Sequence, residues 1–96
     1  MSANNQTLIQ EYNGKWYVFA NLQAESWVHY DEKTKTFDES RTNELHLGSA
    51  AAVCDSFQEA YDRAEKLDED DYMGGTEYGI QVGHLCKDGA PLNIIP

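Results

Sequence analysis

The feature that most restricts the fold is the dipeptide Asn13-Gly14. It separates two β-rich runs, TLIQEY at residues 7 to 12 and KWYVFA at residues 15 to 20. Because Asn-Gly tolerates the positive φ angles of a type I′ turn, these runs are predicted to form a β-hairpin with a two-residue loop.

The second strand of this hairpin carries apolar side chains on both faces. Successive residues of a strand point to opposite sides, so its apolar residues divide into two sets. The sets are Trp16, Val18 and Ala20 on one face, and Tyr17 and Phe19 on the other. We therefore expect this strand to lie centrally in a sheet, covered on one face by a helix and on the other by something else, such as a partner.

Further strands are predicted at residues 25 to 30, 42 to 47 and 76 to 85, whereas residues 49 to 54 fit either a helix or a strand. The chain has 96 residues, which fit a single domain spanning residues 1 to 96. The predicted fold class is α+β, with an antiparallel sheet of four to five strands and one amphipathic helix packed on one face.

The helix is marked by Ser56 and Glu59, which have the spacing of a capping box. Apolar residues then recur at helical spacing and predict the buried stripe. This stripe consists of Phe57, Ala60, Tyr61, Ala64 and Leu67. On the opposite face, Glu59 with Arg63 and Asp62 with Lys66 are predicted to form ion pairs four residues apart.

Charge limits the class of partner. The formal net charge is −10, so nucleic acid and anionic membranes would repel the chain, whereas a basic surface, a cationic ligand or a metal ion would attract it. No run is long and apolar enough for a membrane span, and the first ten residues lack the pattern of a secretory signal. We expect a cytoplasmic protein with Cys54 and Cys86 reduced and half-buried.

The negative charge is concentrated in residues 55 to 77, which hold nine acids and two bases. We expect the helix and the following loop to present one outward acidic ridge, with Tyr72, Met73 and Tyr78 as apolar anchors beside it. The alternative is that the charged face binds no partner and only promotes solubility. The predicted partner-binding residues are Glu59, Asp62, Glu65, Asp68, Glu69, Asp70, Asp71 and Tyr72.

The run Asp68 to Asp71 also suggests a calcium loop. An EF-hand beginning at Asp68 would have Tyr72 and Met73 at positions that need an oxygen ligand and a glycine, and Gly79 in place of the final glutamate. The EF-hand interpretation therefore fails, and no metal or cofactor is expected.

Two alternatives use the cysteines. His84 and Cys86 lie on one side of a predicted strand and with His46 and Cys54 could form a zinc set, but the usual closely spaced ligand pairs are absent. Cys54 precedes the helix start, where a thiol gains reactivity, but the negative charge of the acidic segment would oppose that activation. No oxyanion-hole or phosphate-binding motif is present, so the chain is predicted not to be an enzyme.

The chain resembles the small acidic inhibitors of phages and mobile elements, in particular anti-CRISPR proteins that mimic nucleic acid. The features that carry the resemblance are the capped helix SFQEAYDRAEKL, the run DEDD and the absence of catalytic motifs. The resemblance is one of type over most of the chain. It implies a non-enzymatic inhibitor, in the cytoplasm of a bacterial host cell, that binds a basic nucleic-acid-binding surface of a CRISPR effector or similar defence nuclease.

Other partners stay open at this point. An immunity or antitoxin-like protein that neutralises a basic nuclease toxin would have the same acidic character. A small metal- or thiol-dependent protein using Cys54, His84 and Cys86 is the third interpretation. The apolar segment LNIIP at residues 92 to 96 and the two-faced strand leave room for a homodimer.

Overall fold

The computed structural model of the chain describes residues 4–26, 29–38, 43–71, 75–87 and 92–96, without the side chains of His29, Asp70 and Asp71. The architecture of these residues is α+β, as predicted. In chain order the elements are β1 (Asn5–Tyr12), β2 (Lys15–Gln23), β3 (His29–Asp31), β4 (Thr36–Asp38), β5 (Glu44–His46), a 3₁₀ turn (Leu47–Ser49), β6 (Ala52–Cys54), α1 (Phe57–Asp71), β7 (Ile80–Val82) and β8 (Asn93–Ile95).

The predicted hairpin is confirmed. Tyr12 lies opposite Lys15 in the antiparallel pair β1–β2, so the loop consists of Asn13 and Gly14 alone. Their φ angles are 52° and 83°, as a type I′ turn requires. β2 extends to Gln23, three residues beyond the predicted strand end.

The principal sheet is mixed, so the prediction of an antiparallel sheet is only partly right. Its strand order is β6-β2-β1-β7, with antiparallel pairing of β1 to β2 and of β2 to β6, but parallel pairing of β1 to β7. The connection from β6 through α1 to β7 explains the difference. The helix crosses one face of the sheet and brings the chain back to the end at which β6 began, so β7 runs parallel to β6. Because β6 and β1 are both antiparallel to β2, β7 is also parallel to β1.

The shorter strands pair outside this sheet. β3 pairs with β4 and β5 pairs with β8, the latter in parallel. The strand predicted at 25 to 30 corresponds to β3 at His29–Asp31, and residues 27 and 28 lie outside the described residues. Residues 42 to 47 and 76 to 85 contain the short strands β5 and β7, with residue 42 outside the described range. The undecided segment 49 to 54 ends in a strand, β6.

Both faces of the principal sheet are covered, as the alternation in β2 predicted. On one face, Ile9 and Val18 pack against Ala60 and Ala64 of α1. On the other, Leu8 and Phe19 pack against the segment that contains β5 and the 3₁₀ turn, and against Leu92 and Ile94 around β8. The second face, for which the sequence left the covering element open and a partner was one candidate, is thus covered by this chain. Leu92 and Ile94 of the apolar segment contribute to that layer.

Buried polar side chains at the start of β1 attach the segment 75–87 to the sheet. Gln6 is fully buried, accepts a hydrogen bond from the Cys86 amide at 2.8 Å, and donates one to the His84 carbonyl at 3.3 Å. Asn5 accepts a hydrogen bond from the Glu77 amide at 2.8 Å. Because buried polar groups are costly without partners, these bonds fix the path of the chain after α1.

Candidate protein-binding surface

Helix α1 begins at the predicted cap. The Glu59 amide donates a hydrogen bond to Ser56 Oγ at 3.2 Å, which satisfies one of the amides left unpaired at a helix start. The helix then runs to Asp71, so the four consecutive acids form its last turn. Acids in the last turn lie near the negative end of the helix dipole, and their interaction with the dipole is unfavourable.

Among the described side chains of α1, four glutamates and aspartates are exposed to solvent. We call them the acidic surface, which consists of Glu59, Asp62, Glu65 and Glu69. They lie opposite the buried residues Ala60 and Ala64, because successive helix residues are about 100° apart. Asp70 and Asp71 extend the helix beyond Glu69, but their side chains, like the whole of Tyr72 and Met73, lie outside the described residues. Tyr78, the third predicted anchor, is half-buried.

The described side chains show no ion pair between the acidic surface and the cations of the same helix. Among the described side chains, neither Glu59 with Arg63 nor Asp62 with Lys66 forms the predicted ion pair. Asp62 instead accepts a hydrogen bond from Gln58 Nε2 at 3.0 Å. Arg63 and Lys66 line, with Glu59, Asp62 and Cys54, an open depression of about 340 Å³ beside β6. By helix geometry, Glu65 and Glu69 lie on the side of the exposed helix face that is away from this depression.

We predicted that Asp68 points outward with the other acids, and the structure shows that it does not. Its Oδ1 accepts hydrogen bonds from Thr7 Oγ1 at 2.7 Å, Thr76 Oγ1 at 2.6 Å and the Thr76 amide at 3.1 Å. Burial by itself raises the pKa of Asp68, but the hydrogen bonds from Thr76 and Thr7 outweigh it, and the net shift is downward from 3.8. This carboxylate therefore joins α1 to β1 and to the segment after the helix.

Gly75 allows that junction to close. Its φ is +90°, and a Cβ atom built there would lie 2.8 Å from Asp68 Oδ2. A side chain at this position would adopt an unfavourable left-handed conformation and also displace a carboxylate held by three hydrogen bonds.

We expect Gly75→Ala to lower the free energy of unfolding by about 2 kcal/mol, from backbone strain and loss of the Asp68 geometry. Gly48→Ala is the matched control, since Gly48 has no positive φ and no heavy atom within 4 Å of an added Cβ. Urea denaturation measures both. Equal effects of the two substitutions would contradict the role assigned to Gly75.

Asp55, at the start of the acidic segment, is already paired. Its carboxylate accepts a hydrogen bond from Lys15 Nζ at the end of the β1–β2 hairpin. This bond, more than the charge attraction, raises the pKa of Lys15 and lowers that of Asp55. Both side chains are exposed, so the pair adds little to stability. It removes Asp55 from the negative charge available to a partner.

Two aromatic residues predicted to be buried are exposed. Phe57 is 40% exposed and Tyr61 37%, although both belong to the predicted apolar stripe. The Phe57 ring lies edge-on to half-buried Trp16 with centroids 5.2 Å apart, and 6.0 Å from the Tyr61 ring. We call Trp16, Phe57 and Tyr61 the aromatic patch. Phe57 is the first residue of α1, and this terminal position is the signal in the sequence that could have indicated its exposure.

The alternative metal and thiol sites gain no support from the geometry. Cys54 is buried on β6, Cys86 is half-buried, and both are free thiols. His46 is exposed and lies 3.4 Å from Glu44, whereas His84 Nδ1 lies 3.2 Å from the Leu85 carbonyl. Within the described ranges, no three His, Cys, Asp or Glu side chains are grouped so that they could hold a metal ion.

Comparison of the chain with known proteins finds no match. No protein-family model matches it, and neither the curated proteins nor the solved structures contain a match. Among the residues that the structure describes, no helix has the length and apolar character needed to cross a membrane.

Proposed function

We propose that the chain is a non-enzymatic inhibitor whose acidic surface binds a basic, nucleic-acid-binding surface of a CRISPR effector or a similar defence nuclease in the cytoplasm of a bacterial cell. The observation that carries the proposal is the position of Glu59, Asp62, Glu65 and Glu69. They are exposed on a fifteen-residue helix that is anchored to the sheet, and none forms an ion pair with a described cation.

The spacing of these carboxylates supports mimicry of nucleic acid. Residues three and four apart on a helix are about 5 to 6 Å from one another. A DNA strand carries one phosphate per roughly 3.4 Å of helix axis, so a row of lysines or arginines that contacts alternate phosphates meets the carboxylates at a similar interval.

Rigidity supports the same proposal. The Ser56 cap fixes the beginning of α1, and the hydrogen bonds of Asp68 fix its last turns to Thr7 and Thr76. A preorganised set of charges loses less conformational entropy on binding than a disordered acidic tail does. The charged groups of the acidic surface are therefore presented on a fixed support.

The test is a competition assay with purified CRISPR effector complexes and DNA duplexes that they recognise, followed by electrophoretic mobility shift. We expect one effector to bind the chain and DNA in a mutually exclusive way, with apparent DNA affinity falling as the chain is added. A ternary complex of effector, DNA and chain would contradict the proposal, as would a partner whose bound surface is acidic.

A further inference from the structure

The acidic surface and the aromatic patch share a row along one side of α1. Phe57, Tyr61, Glu65 and Glu69 are separated by four residues each, so their side chains follow one another along the helix. We call these four residues the docking row. Its first half is aromatic and its second half is acidic. All four are exposed, and Trp16 of β2 extends the aromatic half at a ring distance of 5.2 Å from Phe57.

This arrangement differs from an ordinary solvated helix face. A helix face that only promotes solubility carries charged residues throughout, whereas here two rings remain 40% and 37% exposed on a domain whose described core already covers both sheet faces. Aromatic residues are enriched at protein interfaces because they bury a large area with little loss of conformational entropy.

The chemistry of the row selects one kind of occupant. A guanidinium group stacks on the face of an aromatic ring and also pairs with carboxylate oxygens through two parallel hydrogen bonds. Tyr61 and Glu65, one turn apart, are close enough for a single arginine side chain to contact both. Lysine offers a compact charge without the planar surface and matches only the carboxylates.

We propose that the docking row binds an arginine-bearing, partly apolar segment of the partner protein, with arginine against Tyr61, Glu65 and Glu69 and an apolar side chain against Phe57 and Trp16. This inference rests on the proposed function and specifies which part of α1 contacts the partner and by which residue type. The described lysine and arginine side chains on or beside α1 do not occupy the docking row. Lys15 is paired with Asp55, and Arg63 and Lys66 line the depression beside β6.

The probe is a short synthetic peptide in which arginine alternates with leucine, titrated into the full chain while amide and indole signals are followed by NMR. We expect saturable shifts at Phe57, Tyr61 and Glu65 and at the Trp16 indole, and about tenfold weaker binding when every arginine is replaced by lysine. Absence of saturation, or shifts centred on Glu59 and Arg63 instead, would overturn the inference.

Tyr61→Ala keeps every carboxylate and tests the aromatic half of the row. It is expected to weaken peptide binding about tenfold while circular dichroism shows an unchanged fold. Tyr30→Ala is the control, because Tyr30 is 46% exposed but lies on β3, away from α1. Equal affinity of Tyr61→Ala and the unchanged chain would overturn the inference.

The same variants separate this inference from the proposed function. If Tyr61→Ala still displaces DNA from the effector as well as the unchanged chain, while charge reversal of Glu65 and Glu69 abolishes displacement, the docking row is wrong and the inhibitor proposal stands. If neither change affects displacement, the docking row does not bind the effector and the inference is wrong. Failure of the unchanged chain to displace DNA would instead overturn the proposed function. Loss of displacement with both variants, and not with Tyr30→Ala, supports both.

Discussion

Asp68→Ala is expected to lower the free energy of unfolding at pH 7 by about 3 kcal/mol, because three hydrogen bonds to a charged acceptor are lost and the Thr7 hydroxyl and the Thr76 amide are left without that acceptor. Thr7 is fully buried and Thr76 is 9% exposed, so water cannot easily replace the carboxylate. Glu69→Ala is the matched control. This neighbouring acid is exposed, and its removal should change stability by less than about 0.5 kcal/mol.

The effect of Asp68→Ala should depend on pH in a defined direction. The folded protein holds the pKa of Asp68 below 3.8, so its carboxylate contributes stability that is fully present above that pH. The contribution is lost as pH falls through the folded pKa. Urea unfolding at a series of pH values should therefore show the difference between Asp68→Ala and the unchanged chain narrowing below pH 3.8. A difference that is constant or widens on acidification would contradict the assignment.

The parts of the fold that depend on neighbouring residues were predictable from the sequence. Asn13-Gly14 determines a turn through its own φ angles. Ser56 caps α1 by accepting a hydrogen bond from the amide of Glu59, only three residues further along the chain. The alternation in β2 correctly indicated a strand buried on both faces, because side-chain direction follows directly from strand geometry.

The parts that depend on distant residues were not predictable. The parallel pairing of Thr7 with Ile80 joins residues far apart in the chain, and the short strand β7 has no pattern that indicates its partner. The position of Asp68 has the same cause. Among four consecutive acids nothing local distinguishes it, since the hydroxyl of Thr7 that holds it inward lies 61 residues away.

The candidate surface was predictable only in outline. Helical periodicity placed Phe57 and Tyr61 on the same side as Ala60 and Ala64, but periodicity gives an angle and not the extent of the sheet beneath the helix. Both rings remain exposed in the structure. The sequence therefore predicted an acidic surface and did not indicate the aromatic half of the docking row.

Charge reversal of the acidic half should have the largest effect on binding. The double variant Glu65→Lys with Glu69→Lys places like charges against a basic partner, and we expect affinity for the effector to fall about 100-fold, which corresponds to roughly 2.7 kcal/mol. The fold should be kept, because lysine near the end of a helix interacts favourably with its dipole. Binding by the unchanged chain should weaken as salt concentration rises, since salt screens exposed charges.

The control for this variant is Glu11→Lys with Glu32→Lys. Both residues are exposed and lie outside α1, so this variant has the same net charge as the α1 variant but keeps the acidic surface. A loss of affinity that follows net charge alone would be equal in the two variants, whereas recognition by α1 would separate them.

Recognition of the effector by the acidic surface of α1 is tested most directly by equilibrium dissociation constants. These are measured for the two variants and the unchanged chain with the same effector at one salt concentration. Circular dichroism checks the fold of each protein. We expect the α1 variant to bind about 100-fold more weakly and the control to bind within about threefold of the unchanged chain. Equal affinity of all three, or an equal loss in both variants, would show that the acidic surface of α1 does not recognise the partner.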